Sequence, residues 1–315
     1  MSTPTAPVPS PASAAGVAVV VGASSGIGRA TAVALAAEGW SLVLAARSRQ
    51  SLESAVDECR AVAALGTFSL FEMDVTDPAT VQALLDEAIT RHGRIDAVVH
   101  TAAVIGYGKF EDVPAEEFER AVITNLLGTA HVARAALRAF RTADRGHLVL
   151  FGSLLGKVAV PFMSPYVVGK WGVQALARTL QIETRDAEHI EVSLVSPGGV
   201  DTPAYLHAAN RTGWEGRPPP PVDAPEKVAR AVLKVLDRPR RDRSVGVANG
   251  LIVAGFRFLP AVYDLLVTPL MKVAALSRRP MDPHAGNVFT ARPDTDATHG
   301  VWNKIGLRRE GNDRA

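Results

Sequence analysis

The chain predicts an α/β fold, a doubly wound and mostly parallel sheet of seven strands with helices on both faces. Three observations predict it. Short apolar runs recur along the chain, helix-like amphipathic stretches lie between them, and the first run turns into its helix through the glycine-rich segment "VVVGASSGIGRA". Strands buried on both faces read as near-continuous apolar runs, and crossover helices between them make the sheet parallel. The runs fall at 17–21 (VAVVV), 41–46 (SLVLAA), 67–72 (TFSLFE), 95–101 (IDAVVHT), 146–152 (GHLVLFG), 190–196 (IEVSLVS) and 244–248 (SVGVA). Of the helices, the one after the second run starts at "SRQSLE" with Ser48 or Ser51 as its cap. Residues 116–140 carry a stripe of Phe118, Val122, Leu126, Ala130, Ala133 and Leu137 at helical spacing. From 197 to 222 the pattern lapses into a loop ending in "RPPPP", read as an extended spacer. A helix over 225–237 and the last strand follow.

No internal repeat is evident. "MSTPTAPVPSPASAA" has no positive charge and no apolar core, so it reads as a disordered tail over 1–15 and not as a signal peptide or anchor. The sheet domain is expected over 16–249, an apolar helical extension over 250–279 and a polar tail over 280–315. With 47% apolar and 21% charged residues in 315, the composition is that of a soluble globular protein. A formal charge of +2 is too small for a nucleic-acid binder, and the run "RPRRDR" (Arg238 to Arg243) reads as a solvated loop. A lone cysteine, Cys59, excludes a disulfide framework and a zinc spacing, and no metal site is expected. A reducing, cytoplasmic setting fits this composition.

Glycines at Gly22, Gly26 and Gly28 mark a strand turning tightly into a helix whose N-terminus faces something negative. A phosphate is the obvious candidate, although the spacing G-x-x-x-G-x-G departs from the usual dinucleotide fingerprint and also suits a structural turn. In such a sheet, ligands bind at the carboxyl ends of the strands. The second strand ends at Arg47 and Ser48, where an acid would bind the ribose 2′-hydroxyl of NAD. An arginine there suits a 2′-phosphate, so the expected cofactor is NADP(H). Asp74 and Val75, after the third strand, are placed to meet an adenine ring, the alternative being that Asp74 simply caps a loop.

"SPYVVGKWG" sets Tyr166 and Lys170 on one helix face. An adjacent ammonium favours the phenolate, which draws the phenol toward the working pH range and makes Tyr166 a proton relay. Ser153, at the end of "LVLFGS", offers a hydroxyl to a substrate oxygen. Asn125 interrupts its apolar stripe, which points to a local role. Each has a plain alternative: an ordinary helix pair, a cap, a satisfied polar residue. Their joint occurrence behind a glycine-rich first turn is what carries the reading.

These motifs, "GASSGIG", "DVTD", "TNLLGT", Ser153, the Tyr-x-x-x-Lys of 166 to 170 and "SPGGVDTP", resemble the short-chain dehydrogenase/reductase family over roughly residues 15 to 250. The resemblance implies a seven-stranded Rossmann-like sheet and hydride transfer between a carbonyl and an alcohol. It implies a tetrad in which Asn125 holds a relay water, Lys170 binds the nicotinamide ribose and lowers the pKa of Tyr166, and Ser153 positions the substrate. The cofactor contacts it implies are Gly22, Ser24, Ser25, Gly26, Ile27 and Gly28 in the first turn, Arg47, Ser48, Asp74, Val75 and Ala102 beyond it, Tyr166 and Lys170, and Pro197, Gly198, Val200 and Thr202 at the nicotinamide end. It also implies a homodimer or homotetramer through helices near 116–140 and 166–185. One departure stands out. Where the family's fourth strand usually ends Asn-Asn-Ala-Gly, this chain has His100, Thr101, Ala102 and Ala103, so altered support of the site is expected, with His100 a structural substitute.

The alternatives to an active reductase are a cofactor-binding regulator without turnover and a relative acting on nucleotide sugars or enoyl bonds. Residues 247–276 are apolar, but Arg257, Asp264 and Lys272 with Pro260 and Pro269 interrupt them, so a membrane span is not expected. The segment reads either as a core or dimer-contact helix, or as a cover over the substrate mouth that makes peripheral membrane contact. Either way a bulky, apolar small-molecule carbonyl or alcohol substrate is expected.

Overall fold

The computed structural model describes residues 15–309; most of the N-terminal tail expected over 1–15 lies outside them. Seven parallel strands form the main sheet: β1 (Val17–Val21), β2 (Ser41–Ala46), β3 (Phe68–Glu72), β4 (Ala97–His100), β5 (Gly146–Phe151), β6 (Ile190–Pro197) and β7 (Asp242–Val245). Their order is 3-2-1-4-5-6-7, so the direction of winding reverses between β1 and β4. Val19 pairs with Val43 on one side and Val98 on the other, which puts these valines on one face. That face packs Val19, Val43, Val98 and Leu148 against Leu84, Val132, Phe140 and Val173. On the opposite face Val20, Leu42 and Leu44 meet Leu35, Leu52 and Val56, and Val99, Val149 and Val195 meet Val228, Val232 and Val235. Both faces are therefore dry, as the unbroken apolar runs require.

The helices on these faces are α1 (Gly26–Ala37), α2 (Arg49–Val62), α3 (Pro78–His92), α4 (Ala115–Val122), α5 (Gly128–Ala143), α6 (Ser164–Glu183) and α7 (Pro225–Asp237). Ser48 caps α2 by accepting from the Ser51 amide at 3.2 Å. Asp77 caps α3, whose first residue is Pro78, and Gly93 ends it at φ 71°. The single helix expected over 116–140 is two helices joined by a π turn at Ile123–Leu127, and Asn125 sits in that turn. Such turns accommodate one extra residue without ending the helix, and they gather at functional sites.

The apolar extension is a hairpin of two helices, α8 (Asn249–Phe258) and α9 (Pro260–Ala274), bent at Leu259. It ends in a strand, Leu276–Pro280, antiparallel to Trp214–Gly216, where the sequence suggested helix as far as 279. The polar tail beyond it folds back over the molecule. Trp302 is its buried anchor, edge-on to Tyr205 with ring centroids 6.4 Å apart. Asp201 holds the same segment, accepting from the Trp302 amide at 2.9 Å and pairing with Arg309.

Candidate active site

The carboxyl ends of β1, β2, β4, β5 and β6 open on one cavity of about 1630 Å³, its open mouth included. Every candidate residue except Asn125 lines it: Gly22, Ser24, Ser25, Gly26, Ile27, Gly28, Arg47, Ser48, Asp74, Val75, Ala102, Ser153, Tyr166, Lys170, Pro197, Gly198, Val200 and Thr202. A site at the point where the winding reverses is where such a sheet leaves room for a ligand.

The first turn is shaped by absent side chains. Gly22 sits at φ 87°, where a Cβ would lie 2.5 Å from the Ala102 amide nitrogen, and a Cβ on Gly28 would lie 2.0 Å from the Gly22 carbonyl oxygen. Only glycine allows β1, α1 and the end of β4 to approach this closely. Ser25, the N-cap of α1, makes no side-chain cap bond, and the first turn of the helix has no acid. The helix therefore presents its positive end to the cavity.

Arg47 reaches across the cavity, and its Nη2 donates to the Asn287 carbonyl at 2.8 Å. Its Nη1 is buried with no protein partner, and burial lowers its pKa, with the field of Arg120 adding to this and those of Asp74 and Asp296 opposing it. A buried, unpartnered guanidinium nitrogen near the N-terminus of α1, whose Gly26 amide donates to the Ala297 carbonyl of the tail, fits a phosphate of a dinucleotide. Asp74, expected to meet adenine, lines the cavity with its carboxylate already engaged: Arg120 pairs with it at 2.7 Å and the Thr76 amide donates to it at 2.9 Å.

At the other end of the cavity, Ser153 lies just past β5, its hydroxyl accepting from the Leu155 amide at 3.1 Å. The Lys170 ammonium lies 5.6 Å from the centre of the Tyr166 ring and donates to the Phe151 carbonyl at 2.8 Å. The electrostatics differ from the sequence expectation. Burial pushes the Tyr166 phenol up to about 12, and hydrogen bonding with Ser153 offsets this only in part. Burial also pushes Lys170 down to about 8. Desolvation sets both shifts, because both groups lie deep in the cleft, and neither is moved by the charge of the other.

Asn125 is fully buried and does not touch the cavity. Its side chain clamps the Val104 backbone, accepting from the amide at 2.8 Å and donating to the carbonyl at 2.9 Å. The end of β4 is held by its unusual residues, as expected. Thr101 donates to Val21 O at 2.9 Å and lies 3.2 Å from Gly22 O, and His100 Nε2 bonds Thr129 at 3.1 Å. Burial, and then the Lys170 charge, push His100 down to about 3, so it is neutral.

The sequence left the polar tail either to lie back across the protein or to stay loose, and placed none of its residues in the site. Asn287, Ala291, Arg292 and Asp296 line the cavity. The Gly26 amide donates to Ala297 O at 2.8 Å, and His207 bonds Thr295 at 2.6 Å. The clearest signal was Trp302, a large aromatic residue in a mostly polar stretch. The apolar walls near Tyr166, Ile105, Leu155, Met163 and Tyr205, come from loops without a motif.

Residues 16–211 match the short chain dehydrogenase family model. The chain belongs to the short-chain dehydrogenase family. It is 30% identical over 253 residues to the uncharacterized oxidoreductase YxnA of Bacillus subtilis, covering 79% of this chain and 70% of that protein. It is 29% identical over 257 residues to dehydrogenase/reductase SDR family member 7B of Xenopus tropicalis, covering 77% and 78%. Among solved structures, the alcohol dehydrogenase of the archaeon Thermococcus sibiricus, complexed with 5-hydroxy-NADP, superposes with a TM-score of 0.63 at 30% identity, covering 73% of this chain and 94% of that one. The protein is accordingly a short-chain dehydrogenase/reductase oxidoreductase with the Rossmann-like fold of that family, which uses NAD(P)(H).

Proposed function

We propose that this protein is an NADP(H)-dependent oxidoreductase that interconverts an apolar ketone or aldehyde with its alcohol. The observation that carries the reading is that one cavity joins an unpartnered Arg47 Nη1 at one end to Tyr166, Lys170 and Ser153 at the other. The structural relative bound to an NADP analogue supports the cofactor choice. Arg292, brought by the tail to the same cavity, acts with Arg47 on the charge at His207 and adds a second cation for a 2′-phosphate.

When bound, the nicotinamide cofactor supplies or accepts the hydride at the substrate carbon. The chain does the rest. Ser153 and Tyr166 hydrogen-bond the substrate oxygen. Because burial holds the phenol well above neutrality, Tyr166 carries its proton at working pH and is set to donate it to the forming alcohol oxygen. Lys170, charged below about pH 8, favours the phenolate that this transfer leaves. Asn125 fixes the Val104 backbone beneath the site. Ile105, Leu155, Met163 and Tyr205 exclude water and accommodate a bulky apolar substrate.

NADPH and NADH binding measured by fluorescence, followed by oxidation of NADPH with a panel of ketones, tests this reading. The wild-type protein is expected to prefer NADPH. Arg47→Asp should reverse that preference, and Tyr166→Phe should keep NADPH affinity while turnover falls by about 10²- to 10⁴-fold. A wild-type preference for NADH refutes the cofactor assignment. Binding without turnover on any ketone favours the regulator.

A further inference from the structure

We propose that the α8–α9 hairpin is a docking surface for an anionic lipid bilayer. Leu251, Phe258, Leu265 and Val273 are 79%, 75%, 75% and 71% exposed, so large apolar side chains of both helices face outward together and not singly. The exposure has an order. At about 100° per residue, α9 divides into three sectors. Tyr263, Val267 and Met271 face the protein, where Val267 and Met271 join the apolar cluster that also holds Tyr166, and the Tyr263 hydroxyl donates to Ala159 O at 2.8 Å. Asp264, Thr268 and Lys272 form a polar sector. Val262, Leu265, Leu266, Leu270 and Val273 fill the remaining arc of about 140°, and all five are exposed. An apolar stripe with a polar border, on a helix too short to span a bilayer, is the pattern of a helix lying in the membrane interface.

Charge selects the partner. Lys272 and Arg278 line a groove at the end of α9 together with Lys109. Among the described residues none of these three has an ion-pair partner, and Asp112 is the one acid lining the groove. Arg211 there is already paired with Glu117. A two-fold contact between copies of this chain sets the same patch on both sides, so the facing surface offers three cations and one acid and no net negative charge to meet them. Anionic headgroups satisfy the cations while the acyl boundary covers the leucines. No helix among the described residues is long and apolar enough to cross a membrane, so the contact is peripheral. The inner side of the same helix borders the cluster around Tyr166, which places the substrate mouth near the lipid. That consequence rests on the apolar substrate proposed above, whereas docking itself does not.

The test is flotation of the full chain with vesicles of phosphatidylcholine plus phosphatidylglycerol, and with vesicles of phosphatidylcholine alone, whatever the protein's activity. The wild type is expected to float with the anionic vesicles. Leu265→Glu/Leu270→Glu should weaken this about a hundredfold by removing two buried leucines. Lys272→Glu/Arg278→Glu should weaken it at least about tenfold on anionic vesicles and leave the weaker binding to neutral ones unchanged. Melting followed by circular dichroism verifies the fold, and Phe258→Glu replaces the leucine pair if that variant melts early. A wild type that stays unbound, or apolar-face variants that float as well as it does, overturns the proposal. So does a dimer in sedimentation that the leucine variants dissociate while no vesicle binding is seen, because the face would then be a self-interface.

Discussion

Replacing Lys170 by methionine tests the electrostatics of the site apart from turnover. Lys170 is 3% exposed, and burial pushes its pKa from 10.5 down to about 8. Between these values the unfolded chain binds a proton that the folded chain has released, so stability rises as pH rises from about 8 toward 10.5. Below pH 8 both states are charged and the folded one bears the cost of the buried ammonium. Across pH 7.5 to 9.5 the linkage amounts to about 2 kcal/mol in favour of the wild type. Lys170→Met has no such proton. Its unfolding free energy, measured in denaturant on cofactor-free protein, should therefore lose about 2 kcal/mol relative to wild type over that window, whatever constant offset follows from leaving the Phe151 carbonyl without its donor. Background titrations, those of the buried tyrosines included, cancel in the difference. A gap between the two proteins that does not change with pH refutes the claim that Lys170 is buried as a depressed cation.

Three further outcomes are expected. Gly28→Ala puts a methyl 2.0 Å from the Gly22 carbonyl oxygen, a backbone atom that cannot swing away. Dinucleotide affinity should fall by more than about tenfold and stability by about 1–3 kcal/mol, read by fluorescence titration and denaturant unfolding. Thr101→Val keeps the shape but removes the donor to Val21 O; a loss of about 1–3 kcal/mol in the same unfolding assay is expected, and an unchanged midpoint would show that this tie is idle. Arg292→Ala should weaken NADPH about fivefold and leave NADH untouched, because a purely structural role in the tail would lower both equally.

The strands were legible because a doubly covered parallel sheet demands continuous apolar runs, and runs such as VAVVV and VLF admit few other readings. Gly22 and Gly28 were legible for a different reason. Their backbones must pass within contact distance of β4 and of each other, and no other residue type permits that. Helix 116–140 was half legible. A π turn inserts one residue without erasing the helical period, so the stripe from Phe118 to Leu137 looked unbroken, and Asn125 alone marked the irregularity. The electrostatics of Tyr166 and Lys170 were not legible. Spacing reveals that two groups are neighbours, but how much water each loses depends on the loops at Leu155, Met163 and Tyr205 that close over them. The tail was the least legible part. Its cavity contacts at Asn287 and Ala297 are made by backbone carbonyls, which every residue possesses, so side-chain identity carried no trace of them.

The unusual end of β4 shows how the site is held without the family's paired asparagines. The Thr129 hydroxyl has one proton and donates it to the Asn125 carbonyl at 2.7 Å. Toward His100 it can therefore only accept, which fixes the imidazole proton on Nε2. Nδ1 is then a bare acceptor, and it is buried with no protein partner. A charged ring is excluded by burial and by the Lys170 field, the same two causes that lower its pKa. Thr101 ties β4 sideways to Val21, and Asn125 ties the loop after β4 to the π turn through Val104. One chain of donors thus runs from His100 through Thr129 to the carbonyl of Asn125, whose side chain braces the strand end facing the cofactor cleft. The Asn125 amide spends one N–H on the Val104 carbonyl and the Thr129 proton goes to the Asn125 carbonyl, which leaves His100 Nδ1 as the one acceptor of this chain of bonds without a protein donor.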